Sequence, residues 1–192
     1  MLKTMRQYLV DHEGIQVFLR IFFIIALIVY FEPPEIVFTA LCLSLLGDLI
    51  LIKEGFITLI MGLLAFLSAH VFYIYHFASI NSFAPIYEIP TEHLFVLGGI
   101  FAVAIWFVKS MFERDIAAHL KIAVTLYIGA LYSLLIVTAN ERGFAFWGAL
   151  FFITSDFLIG YDNLIKNQPN KNRPYIMMTY VTAQVFLAAS VA

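Results

Sequence analysis

The chain falls into about seven apolar runs, 15–32, 35–52, 56–79, 92–109, 116–138, 144–163 and 175–192, divided by short stretches rich in charge, Pro, Gly or Asn. About 20 apolar residues cross the hydrocarbon of a bilayer as a helix, and backbone N–H and C=O groups in lipid must pair within the segment. Each run therefore reads as a transmembrane helix. The connectors "EPP", "KEG", "INSFAPIYEIPT", "SMFERD", "NERG" and "NLIKNQPNKNRP" leave no room for a soluble domain. The expected fold is all-α, a single polytopic bundle over 1–192 with a polar leading segment at 1–14.

Composition excludes several other classes. The chain is 62% hydrophobic and only 12% charged, with a mean hydropathy of +0.93, whereas about 25% charge is usual in soluble domains. A net charge of -2 with scattered Lys and Arg gives nucleic acid no basic surface to bind. Cys42 is the one cysteine, so no internal disulfide forms, and it is expected as a small core residue. The opening "MLKTMRQYLVDHEG" leads to "YFEPPE" rather than to a small-residue cleavage site, so no removable signal peptide is expected.

Cations set orientation, because Lys and Arg stay on the cytoplasmic side. With the first span starting inside, Lys3, Arg6, Arg20, Lys53, Lys109, Arg114, Lys121, Lys166, Lys171 and Arg173 fall at cytoplasmic ends, and Arg142 is left outside. The expected topology is seven spans with the N-terminus inside and the C-terminus outside, in a cytoplasmic (inner) membrane. A faint repeat accompanies it. "ALCLSLLGDLIL" aligns with "GALFFITSDFLIG" and "SAHVFYI" with "TAQVFLA", which suggests parallel repeats of spans one to three and five to seven joined by span four.

Two aspartates interrupt the apolar pattern, Asp48 in "LLGD" and Asp156 in "TSD". A carboxylate at mid-membrane costs about 2.5–3.5 kcal/mol on insertion scales, so such groups turn into the bundle and mark function. The bland alternative is a structural hydrogen bond or a side chain reaching the cytoplasmic surface. In span three, Gly62, Phe66, His70 and Tyr73 recur at helical spacing, which puts a titratable ring on one face. Tyr127, Ser155, Tyr180 and Gln184 add hydroxyl and amide groups at comparable depth, where helix packing alone would also explain them. His12, His76, His93 and His119 lie near span ends, and no histidine pair has i, i+4 spacing, so neither a metal nor another cofactor is expected. Two carboxylates sharing one dry cavity would leave an acid beside a base, which serves hydrolysis and proton-coupled transport equally.

The order of motifs narrows this choice. "LLGDLIL", "GLLAFLSAHVFYIYHF", "TLYIGALYS", "GALFFITSDFLIG" and "TYVTAQVFLAAS" together resemble the YhhN/lysoplasmalogenase family of membrane proteins, from about residue 19 onwards. The resemblance implies a hydrolase that cleaves the vinyl ether bond of lysoplasmalogens, with a lysophospholipid as partner. It carries the family's intramembrane aspartates onto Asp48 and Asp156 and its Ala-His onto Ala69-His70. His70, Tyr73, Tyr127, Ser155, Tyr180 and Gln184 would bind substrate or orient water, and the alkenyl chain would pass between helices at Phe66 and Phe152.

Two features depart from the family pattern. The usual eight spans are reduced by the leading one, and a Lys-Pro pair is replaced by Arg20-Ile21, so no head-group role carries over to that pair. A small proton-coupled transporter built on the three-one-three repeat is the alternative. An aspartyl protease would need Gly-x-Gly-Asp, which "GYD" at 160–162 does not supply, and a retinal receptor would need a lysine in span seven.

Overall fold

The computed structural model describes residues 2–53, 55–80, 88–140, 143–168 and 171–192, with side chains from residue 17 onwards. Lys3, Arg6, His12 and Arg142 therefore lie outside the described side chains. Among the described residues every regular element is helical: α1 (Leu2–Phe31), α2 (Glu35–Ile50), α3 (Phe56–Ile80), α4 (Thr91–Phe112), α5 (Ala118–Val137), α6 (Phe144–Gly160) and α7 (Arg173–Ala189), with a π-helical turn (Tyr161–Ile165) extending α6. The polar leading segment is helical from Leu2 and continuous with the first apolar run. Among the described residues four stretches are long and apolar enough to cross a membrane: Phe56–Ile80, Thr91–Phe112, Ala118–Val137 and Phe144–Ile165.

The helix ends follow from local chemistry. Pro33 and Pro34 cannot continue α1, and Glu32 turns the chain at φ 46° before them. Glu35 then sits in the first turn of α2, where a negative charge complements the helix dipole. At the far end of α4, Lys121 donates to the carbonyls of Phe112 (3.1 Å) and Arg114 (2.8 Å), placing a cation at the negative end of that helix. The π-turn closes with Lys166 N–H donating to the Tyr161 carbonyl at 2.8 Å, and Asn167 follows at φ 51°, a conformation that asparagine tolerates.

The chain divides into two compact units, one ending at Tyr73 and the other running from Ile74 to Val191. In the first, α1 packs on α2 and the start of α3 closes against the end of α2. This approach requires a glycine at position 47, since a Cβ there would lie 2.9 Å from the Phe66 ring. In the second unit α6 and α7 share the closest interface. A Cβ on Gly148 would lie 2.9 Å from Leu187 Cγ and 3.0 Å from its backbone nitrogen. Phe107, Met111, Leu120, Val124 and Ile165 form a core where α4, α5 and the π-turn meet.

Cys42 corrects one expectation, because it is exposed rather than in the core. It lies off the stripe that α2 buries, which runs Val37, Ala40, Leu41, Ser44, Gly47 and Asp48.

Candidate functional site

Asp48 stands in the last turn of α2, on that buried stripe, and is 6% exposed. An ionised carboxylate there has lost water and faces the negative end of its own helix, two costs that only a well-placed cation offsets. Arg20 of α1 supplies one. Its guanidinium, itself buried, has Nη1 3.3 Å from Asp48 Oδ1 and also donates to the Asp48 backbone carbonyl. Carbonyls in a last helical turn have no partner within the helix, so one arginine serves the charge and the helix end together. Arg20, counted in the sequence among the cations at cytoplasmic ends, is buried rather than exposed. It is held inside, by Asp48.

On α3, His70 and Tyr73 are both fully buried, on the stripe that also carries Gly62 and Phe66. Phe66 is equally enclosed, its ring lying on Gly47 one residue before Asp48.

Asp156 belongs to the second unit, in the last part of α6, and is 6% exposed. Tyr127 of α5 donates its hydroxyl to Asp156 Oδ2. The neighbouring Ser155 donates to the Ile176 carbonyl of α7 at 3.3 Å, which ties α6 to α7 beside the carboxylate. Tyr180 meets Phe152 edge-on with ring centres 5.8 Å apart, and Gln184 follows one turn later, fully buried. Within this unit the structure thus brings Tyr127 to Asp156, while Ser155 and Tyr180 make contacts of their own with α7 and Phe152.

One residue in each unit escaped the sequence reading as the partner of a buried group. Arg20 carried a usable signal, since an ionisable residue inside an apolar run requires a partner. Asp162 carried almost none, because "NLIKNQPNKNRP" reads as a loop. It is buried in the π-turn and accepts from Asn172 N–H (2.8 Å) and Nδ2 (2.6 Å), which anchors the start of α7. A π-turn that begins five residues after Asp156 agrees with the tendency of such turns to occur at functional sites.

Four apolar helices long enough to cross a bilayer, one of which carries the buried Asp156 and another the Tyr127 that donates to it, are the make-up of a multi-pass membrane protein. The model of the YhhN family matches residues 15–191, and the chain belongs to that family. The match includes Arg20, Asp48, Tyr127 and Asp156. No curated protein and no solved structure gives a significant match.

Proposed function

We propose that this protein is a membrane hydrolase that cleaves the vinyl ether bond of lysoplasmalogens, releasing a fatty aldehyde and a glycerophospho-ethanolamine or -choline. The observation that carries the reading is that both aspartates are buried, Asp48 beside the Arg20 guanidinium and Asp156 accepting from Tyr127. Two carboxyl groups held in different surroundings can divide acid and base work between them.

Vinyl ethers hydrolyse by protonation at carbon. Asp156, with Tyr127 occupying Oδ2 as donor, gives a proton from Oδ1 to the β-carbon. The double-bond electrons form the new C–H bond, and the carbon bearing oxygen becomes an oxocarbenium ion. Water adds to that carbon and loses a proton to Asp48, giving a hemiacetal. Collapse breaks the bond to the glycerol oxygen, which takes the proton from Asp48 while the hemiacetal hydroxyl returns one to Asp156. Both groups are restored, and one water is consumed.

The reading requires both carboxylates to act on one substrate. His70, Tyr73, Tyr127, Ser155, Tyr180 and Gln184 take the roles of holding that substrate or water. The seven-span topology, N-terminus inside and C-terminus outside in a cytoplasmic membrane, belongs to the same proposal, and reporter tags on both ends check it.

The deciding experiment offers purified protein a panel of lysolipids with vinyl ether, alkyl ether and ester chains and identifies products by mass spectrometry. Aldehyde should appear from the vinyl ether lipid alone and vanish with Asp48→Asn or Asp156→Asn in folded protein. Absence of product from every lipid, with solute uptake by proteoliposomes instead, overturns the reading in favour of a transporter.

A further inference from the structure

Helical hydroxyls in this protein follow a common habit. Thr39, Ser68, Thr125, Ser133, Thr154 and Thr182 each donate to the carbonyl four residues earlier, at 2.8–2.9 Å. This back-bonding is the default that satisfies a hydroxyl without leaving the helix. Ser44 does not follow it. It is fully buried, and its Oγ has no hydrogen-bond partner among the described residues. A buried hydroxyl left in that state costs about 1–3 kcal/mol, although the Ala40 carbonyl lies at the distance in sequence that the other six use.

The position of Ser44 gives that cost a purpose. Asp48 is four residues on and shares the buried stripe of α2. Side chains at i and i+4 have Cβ atoms about 5–6 Å apart. Two hydrogen bonds of about 2.8 Å through a single oxygen span such a gap. Arg20 approaches Asp48 from α1 and supplies the positive charge that an ionised Asp48 requires. The turn of α2 from Ser44 to Asp48 therefore presents a hydroxyl and a carboxylate, both buried, at the spacing of one bridging water.

We infer that Ser44 and Asp48 together hold the water that captures the oxocarbenium ion, with Ser44 as its hydrogen-bond anchor and Asp48 as its base. This rests on the hydrolase reading above and adds to it a residue outside the family motifs. Ser44 Oγ accepts one water hydrogen and Asp48 accepts the other, which aims a lone pair of the water oxygen away from α2. When that oxygen bonds to carbon, the proton on the Asp48 side moves to the carboxylate and the Ser44 hydrogen bond persists to the hemiacetal hydroxyl. No other co-reactant enters.

The test uses the full chain in detergent micelles with the vinyl ether lysolipid, comparing wild type with Ser44→Ala, Ser44→Thr and Ser44→Cys. Loss of the anchor should lower kcat about tenfold or more in Ser44→Ala, since small misplacements of a reacting group cost up to about a hundredfold. KM should stay within about twofold, because Ser44 holds the water and not the lipid. Added methanol gives a second readout, because it competes with water for the cation and yields a mixed acetal instead of aldehyde. The acetal share should rise in Ser44→Ala and Ser44→Cys and return towards wild type in Ser44→Thr.

Ser44→Cys keeps the packing but lacks a strong hydrogen-bonding group, so a purely structural serine predicts wild-type partition there. Wild-type kcat and partition in both Ser44→Ala and Ser44→Cys overturn the inference, and so does a rise in KM alone. Those outcomes differ from failure of the hydrolase reading, in which wild type itself releases no aldehyde.

Discussion

The guanidinium of Arg20 closes on the carboxylate of Asp48 inside the first unit, joining α1 to the last turn of α2 across 28 residues of chain. Removing one partner strands a buried charge. Arg20→Ala is expected to lower stability by about 3–5 kcal/mol, read from thermal or denaturant unfolding in detergent. The double change Arg20→Met with Asp48→Leu should recover most of that loss while remaining catalytically dead. If Arg20→Ala melts like wild type, the pair contributes nothing to the fold.

Tyr127 makes the corresponding contact in the second unit. Tyr127→Phe keeps the ring and removes only the hydroxyl that Asp156 accepts. A hydrogen bond between neutral groups contributes about 0.5–1.5 kcal/mol, and that loss should appear in unfolding. The carboxyl stretch of isotope-labelled Asp156 should shift in infrared spectra, and aldehyde release should slow. A spectrum and rate identical to wild type would count against any part for this bond in the site.

Glycines separate into two groups by what surrounds them. Gly148→Ala drives a methyl into Leu187, including its backbone nitrogen, and overpacking of this kind costs about 1–3 kcal/mol. Gly98→Ala meets open space and should be neutral, or stabilising by up to about 1 kcal/mol through helix propensity. Melting curves of the two variants side by side test this, and equal shifts would contradict it.

Asp162 holds the first residues of α7 through both bonds to Asn172. Asp162→Ala leaves those donors unmet at a cost of about 1–3 kcal/mol. Hydrogen exchange should quicken selectively at residues 171–177, and unchanged protection there would remove Asp162 from this role.

Much of the architecture was readable before any coordinates. The helices occupy the apolar runs because lipid forces every run to satisfy its own backbone, and their breaks fall at Pro33, Pro34 and the charged connectors. Asp48 and Asp156 announced themselves by polarity, and both proved buried. Cys42 shows where this kind of reading fails. In water an apolar residue gains by turning inward, but lipid is as apolar as a helix interface, so hydropathy gives no inside-outside signal. Phe95 and Leu126 are likewise mostly exposed, while Ala40 and Ser44 are buried.

The sequence by itself determined that this chain is helical, apolar enough to cross a bilayer, and a carrier of two carboxyl groups where water is scarce. Those properties belong to one segment at a time. Only the tertiary structure decided that Arg20 serves Asp48, that Tyr127 serves Asp156, and that Ser44 is buried without the bond its neighbours make. Such pairings depend on the rotation and depth of one helix against another. Those are set where Gly47 and Gly148 admit Phe66 and Leu187, contacts between distant residues that no single run encodes.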